Sequence, residues 1–151
     1  MLSKKEKNLY RQVVIIILTL SSKESSDFEK QIFDLAAKTG SALANSRTDK
    51  TTIENIIPIF QRESDPVNAT LLLTAYILRQ SGREEIDRSV SGLLLSDIKI
   101  ILDNFKDKPE KLREVLQKYL VLIKWIYESK PRSRVEHFDD LLKLFITRRT
   151  Y

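Results

Sequence analysis

Residues 107–130, DKPEKLREVLQKYLVLIKWIYESK, predict one long amphipathic helix. Asp107 is a candidate N-cap with Glu110 three positions later, Pro109 fits the first turn, and Pro131 ends the pattern. Apolar residues recur at spacings of three and four and form a single stripe, which comprises Leu112, Val115, Leu116, Tyr119, Leu120, Ile123, Ile126 and Tyr127. A chain with such a helix must bury that stripe against other elements.

Two apolar residues of this helix fall outside the stripe. At about 100° per residue, Val121 lies nearly opposite the centre of the stripe and Trp125 lies well to one side. One interpretation is a central helix that its own bundle covers on both sides, because apolar residues usually belong to the core. The other is a docking patch formed by Val121 and Trp125, because tryptophan is favoured at interface anchors.

The same helical period recurs along the rest of the chain. We predict a first helix over residues 3–21, buried on most of its circumference in its second half, and a second helix after a capping box at 26–29. Gly40 ends or interrupts that second helix. The helix after Pro66 is apolar nearly all round and is therefore predicted to be central. A further capping box at 133–136 predicts the start of the last helix.

These segments predict an all-α protein, a compact bundle of six to eight helices. No segment alternates with period two for long enough to predict a strand, and 151 residues suit a single helical domain over 1–151. The apolar run at 13–20 is too short to span a bilayer, and no cleavage site follows it. We therefore expect a cytoplasmic protein with no membrane partner.

Catalytic and metal-binding patterns are missing from the sequence. His137 is the only histidine, there is no cysteine, and the three glycines are isolated, which excludes thiolate metal sites and phosphate-binding glycine loops. The acidic pairs at 84–85 and 139–140 are adjacent, so their side chains diverge by about 100° on a helix and predict solvated faces. We expect no enzyme, no cofactor, no metal and no small-molecule substrate.

The net charge of +5 resides entirely in the last part of the chain. Residues 1–107 hold 15 Lys/Arg and 15 Asp/Glu, whereas residues 108–151 hold 11 and 6. Such a surplus suits a surface that meets phosphate, because lysine and arginine can follow a nucleic-acid backbone without reading bases. The candidate nucleic-acid-binding residues are Lys111, Lys118, Lys124, Lys130, Arg132, Arg134, Lys143, Arg148 and Arg149.

Two other functions remain open at this point. One is a protein–protein adaptor with no nucleic-acid role, in which Trp125 of the docking patch would be required to bind the partner. A DNA-binding regulator would place a helix-turn-helix around residues 51–80, although the helix after Pro66 is very apolar for a major groove.

Two segments resemble the small helical subunits of type III CRISPR effector complexes, which are basic archaeal proteins without cysteine. They are PVNATLLLTAYILRQSG at 66–82 and YLVLIKWIYES at 119–129, and together they cover under a third of the chain. The type III-B subunit is the preferred match, and the type III-A and type I-A small subunits are comparable.

This resemblance implies a non-catalytic subunit of an RNA-guided antiviral ribonucleoprotein. Its partners would be guide RNA, target nucleic acid, other effector-complex subunits and copies of itself. Several copies would stack head to tail, with basic faces along the groove that holds the nucleic acid. Val121 and Trp125 would then contribute to the contact between neighbouring subunits.

Overall fold

The computed structural model describes residues 3–147, except for the side chains of residues 15–26. Within that range it contains no strand and six helices, which confirms the predicted all-α class. The helices are α1 (Lys4–Ala44), α2 (Lys50–Gln61), α3 (Pro66–Gly82), α4 (Arg88–Phe105), α5 (Pro109–Ser129) and α6 (Phe138–Thr147).

The chain forms two compact units, Met1–Ile32 and Phe33–Tyr151. The prediction of a single domain stays a prediction. In the first unit, a capping box fixes the start of α1. The Ser3 backbone N–H donates to Glu6 Oε2 at 3.0 Å, and the Glu6 N–H donates to Ser3 Oγ at 3.2 Å.

Helix α1 is one continuous helix of 41 residues, so the prediction of two helices separated near residue 26 is wrong. A capping-box pattern permits a helix start but does not impose one, because Ser and Glu are also tolerated inside a helix. The predicted burial within residues 15–21 concerns side chains outside the described set. Gly40 neither ends nor interrupts α1, which continues to Ala44.

Gly40 instead permits close packing in the second unit. A Cβ atom at this position would lie 2.8 Å from Ile126 Cγ2 and 2.9 Å from Ile126 Cβ. Such distances are shorter than any normal contact, so only glycine lets α1 approach α5 at this point.

Helix α5 is the centre of the second unit, in contact with α2, α3 and α4. Every residue of its predicted stripe is buried except Tyr127, which is half-buried. The helix begins at Pro109, and Lys108 rather than Asp107 occupies the N-cap position without a side-chain cap bond. The 3.6-residue period therefore predicted the buried face correctly, but the cap pattern predicted the wrong residue.

Helix α3 contacts α2, α4 and α5. The prediction that it is buried on nearly all sides is nevertheless wrong. Leu73 and Ile77 are buried against these neighbours, whereas Leu71, Leu72 and Leu78 are 53%, 38% and 56% exposed. An apolar residue on every side predicts burial on every side, but no described helix covers this face. Helix α3 therefore presents an open apolar face.

Helix α6 begins at Phe138, five residues after the start of the predicted capping box. Its first turn is capped by a distant residue, because the Phe138 N–H donates to Asp34 Oδ1 of α1 at 2.9 Å. His137 Nδ1 lies 3.6 Å from the other oxygen of the same carboxylate. The only histidine thus lies beside a helix cap.

A buried polar cluster joins α1, α4 and α5. Asp97 is 5% exposed, and its Oδ2 accepts hydrogen bonds from Thr39 Oγ1 and Tyr119 Oη, both at 2.5 Å. Burial raises the pKa of Asp97 to about 6, against the opposing effect of the two hydroxyl donors. Burial, followed by the charge of Asp97, raises the pKa of Tyr119 well above its usual value.

Candidate nucleic-acid interface

Three loops meet at one end of the second unit, which we call the loop end: 45–49, 83–87 and 130–137. Hydrogen bonds join them. The Asp49 N–H donates to the Glu85 carbonyl at 2.8 Å, and Asn45 Nδ2 donates to the Pro131 carbonyl at 3.1 Å. The loops are therefore held together although they are far apart in sequence.

The loop end contains three of the predicted nucleic-acid-binding residues. Lys130, Arg132 and Arg134 are all exposed and lie between α5 and α6. Within the described part of the chain, neither Lys130 nor Arg132 has a carboxylate within 4.0 Å. Both charges are therefore available to an external anion.

The fold adds Arg47, which the sequence analysis did not select. Arg47 is exposed in the loop 45–49, and both it and Arg134 act electrostatically on Asp87. Hydrogen bonds from Ser89 lower the pKa of Asp87 most strongly, and the charges of Arg134 and Arg47 lower it further. Two arginines from different loops therefore act on the same carboxylate, and the negative charge of Asp87 partly offsets their positive charge. No local sequence pattern predicts that Arg47 and Arg134 lie near the same residue.

Two non-glycine residues with positive φ also lie at the loop end. Lys130 has φ 51° and ψ 61° at the C-cap of α5, and Glu84 has φ 61° in the loop 83–87. Left-handed backbone is strained for a residue with a Cβ atom, and helix ends with this geometry usually carry glycine. Such strain is concentrated at functional positions in proteins.

The predicted lysines of α5 already have partners in the chain. Lys111 lies 3.7 Å from Glu114, and Lys124 lies 3.8 Å from Glu128. Lys118 Nζ lies 5.0 Å from the centroid of the Phe33 ring, a cation–π distance. Two of the three predicted lysines of α5 are therefore paired with glutamate, which makes this helix a weaker polyanion site than the loop end.

The remaining predicted cations lie elsewhere. Lys143 is exposed on α6 and is not part of the three loops of the loop end. Its backbone carbonyl accepts a hydrogen bond from the Thr147 hydroxyl. Arg148 and Arg149 lie outside the described residues. Their predicted role stays a prediction.

A cleft of about 590 Å³ adjoins the loop end, with Tyr127 and Lys130 among its lining residues. Tyr127 Oη donates to the Thr48 carbonyl at 3.0 Å, which fixes the ring beside the loop 45–49. The cleft also contains two carboxylates, Glu54 and Glu128, so its charge is mixed. It offers an aromatic ring beside the ammonium group of Lys130, and a ring beside a cation is the combination on which unpaired bases stack.

The two candidate docking residues have different exposure. Trp125 is 64% exposed, and Val121, one helical turn earlier, is half-buried. The interpretation of α5 as covered on both sides is therefore wrong for this face. The second unit thus has exposed apolar side chains on α5 (Trp125), on α3 (Leu71, Leu72 and Leu78) and on α6 (Leu142 and Ile146).

The helix-turn-helix alternative fits poorly with this surface. Helix α3 would be the recognition helix, and it turns three leucines to solvent where base-reading polar side chains are required.

No arrangement of three or more His, Asp or Glu side chains suited to a metal ion occurs among the residues described. Likewise, no helix within the described range is long and apolar enough to cross a membrane. No family model, curated protein or solved structure matches the chain.

Proposed function

We propose that the chain is a non-catalytic small subunit of a type III CRISPR ribonucleoprotein, with the type III-B complex as the preferred assignment. It contacts guide and target nucleic acid through the loop end and acts in the cytoplasm. The observation that carries the proposal is the exposed pair Lys130 and Arg132, which has no carboxylate partner in the described part of the chain. Arg134 lies in the same loop, and the fold adds Arg47. Cations held on short, hydrogen-bonded loops suit recognition of phosphates by position rather than by base sequence.

Subunit contacts form the second part of this proposal. The exposed Trp125, with Val121 beside it, supplies an anchor for a neighbouring copy or for another subunit of the complex. Head-to-tail stacking requires a second, different patch on the same molecule, and the open leucine face of α3 is suited to that role.

Charge reversal at the loop end tests the nucleic-acid part. The triple variant Lys130→Glu, Arg132→Glu and Arg134→Glu is compared with the natural chain by fluorescence anisotropy on a labelled RNA duplex and a labelled single strand. Each phosphate contact contributes about 0.9 to the slope of log K against log salt for a duplex, so loss of three contacts should lower the slope by about 2 to 3.

The matched control reverses three exposed cations at the opposite end of the unit, Arg62, Lys106 and Lys108. Both variants carry the same change in net charge, so a general loss of electrostatic attraction affects them equally. A loss confined to the loop-end variant supports the proposal. Equal binding by the two variants would rule out the loop end as the contact surface.

The exposed Trp125 favours a second candidate function, that of a protein–protein adaptor without a nucleic-acid role. In that case Trp125→Ala removes partner binding, the charge reversals have no effect, and the natural chain binds neither RNA probe.

A further inference from the structure

One face of the start of α1 consists of three cations and an amide. Every residue from 3 to 13 is exposed. At about 100° per residue, Lys4, Lys7 and Arg11 fall within an arc of about 60° on the helix, and Asn8 lies beside them. These four residues line an open cleft of about 450 Å³. We call them the cationic face.

The cationic face has no counter-charge in the chain. Among the described residues, no carboxylate lies within 4.0 Å of Lys4, Lys7 or Arg11. Glu6 lies about 160° round the helix from Lys4. There its carboxylate accepts a hydrogen bond from the Ser3 backbone N–H at 3.0 Å. The three cations are therefore available to an external anion.

The spacing within this face is unfavourable for an isolated helix. Lys7 follows Lys4 by one turn and Arg11 follows Lys7 by one turn, and like charges at these spacings repel each other. An anion bound along the face would remove this repulsion.

Other helices of the chain neutralise their lysines. Four lysines of α2, α4 and α5 have a carboxylate one turn later at 2.9 to 3.8 Å; the pairs are Lys50 with Glu54, Lys99 with Asp103, Lys111 with Glu114, and Lys124 with Glu128. The start of α1 departs from this pattern. Total charge does not reveal the difference, because residues 1–107 sum to zero.

From these observations we infer that the cationic face of α1 is a second contact for the phosphate backbone of nucleic acid. The choice of nucleic acid as the polyanion rests on the proposed function, but the contact uses none of the residues of the loop end. Lys4 to Arg11 spans about 10 Å of helix axis. A duplex of that length carries about six phosphate charges, so it can satisfy all three cations.

An anionic membrane fits this helix less well. The exposed Leu9 and Val13 lie on the side opposite the cationic face, and Glu6 lies beside them. A helix that lies in a membrane surface buries its apolar side. Here that orientation would bury the Glu6 carboxylate and direct the cations away from the lipid headgroups. The arrangement therefore favours a polyanion that lies along the cationic face.

Removal of two cations tests the inference. The double variant Lys7→Gln, Arg11→Gln is compared with the natural full-length chain by fluorescence anisotropy on a labelled RNA duplex and a labelled single strand over a range of salt concentrations. Loss of two phosphate contacts should lower the slope of log K against log salt by about 1.8 for the duplex and about 1.4 for the single strand. Glutamine has nearly the helix propensity of lysine and arginine, so circular dichroism should be unchanged.

The matched control is Leu9→Glu, Val13→Glu. It makes the same change in net charge on the same helix, at two exposed residues opposite the cationic face. We expect this variant to keep the slope of the natural chain. The triple loop-end variant is measured on the same probes, so that the two surfaces are tested separately.

The outcomes distinguish this inference from the proposed function. A natural slope for Lys7→Gln, Arg11→Gln beside a loss for the loop-end variant would overturn the inference alone. A loss for the α1 variant without one for the loop-end variant would support the inference and exclude the loop end. Equal losses for the α1 variant and its matched control would also overturn it, and absence of RNA binding by the natural chain would overturn both. Tighter binding to phosphatidylglycerol vesicles than to RNA, abolished by Leu9→Glu with Val13→Glu, would assign α1 to lipid instead.

Discussion

Replacing Asp97 with asparagine should change how the stability of the protein depends on pH. The Asp97 carboxyl is buried, accepts two hydroxyl hydrogen bonds, and has its pKa raised from 3.8 to about 6. The folded state therefore holds this proton more tightly than the unfolded state does. The contribution of Asp97 to the free energy of unfolding falls as pH rises from about 4 to about 6, and it is constant above that range.

The size of the effect follows from the shift. One pKa unit corresponds to about 1.4 kcal/mol, so a rise of roughly two units costs about 3 kcal/mol once the group is fully ionised. An asparagine oxygen can still accept from Thr39 and Tyr119 but carries no charge. The free energy of unfolding of Asp97→Asn, relative to that of the natural chain, should therefore increase by about 2.5 kcal/mol between pH 4 and pH 7.5, because the unfolded state is already partly ionised at pH 4.

Guanidinium unfolding followed by circular dichroism at several pH values measures this difference. The comparison uses the change with pH, so a constant offset from altered packing does not affect it. Asp103→Asn, which removes an exposed carboxylate 2.9 Å from Lys99, is the control and should change by no more than about 0.5 kcal/mol. A flat difference for Asp97→Asn, or one that decreases with pH, would refute the reasoning.

Three further predictions concern single positions. Gly40→Ala should destabilise the fold by about 1 to 3 kcal/mol, because the new methyl group overlaps with Ile126. Gly92→Ala has open space around its Cβ and should stabilise α4 by about 0.5 to 1 kcal/mol. Thermal and chemical unfolding measure both changes. Lys130→Gly should raise the free energy of unfolding by about 1 kcal/mol by relieving left-handed strain, and it should weaken RNA binding in the same preparation. Trp125→Ala should change the free energy of unfolding by less than about 0.5 kcal/mol, because an exposed side chain contributes little, while it abolishes co-purification of partner subunits.

Local periodicity was sufficient to predict the class of the fold and the buried face of α5. The stripe from Leu112 to Ile126 is buried as predicted, because packing of an amphipathic helix follows its own spacing. The same argument failed for α3, where Leu71, Leu72 and Leu78 are exposed although they are as apolar as the buried residues of the same helix. Periodicity identifies which residues share a face, but whether a neighbour covers that face depends on the tertiary arrangement.

The candidate site depended on contacts that no local pattern contains. Lys130, Arg132 and Arg134 were predicted from charge, but Arg47 joins them through a loop more than 80 residues earlier in the chain. The cap of α6 likewise comes from Asp34 rather than from the nearby capping box. Asp97 lies among apolar residues of α4, and its role became evident only when Thr39 and Tyr119 were found beside it.

Gentle purification of the tagged chain from its native host tests the central claim most directly. The protein and nucleic acid that accompany it would be identified by mass spectrometry and sequencing. The proposal predicts large subunits of a helical effector complex together with short RNAs that share a common repeat-derived 5′ tag. Recovery of the chain alone, or with unrelated proteins and no RNA, would contradict it.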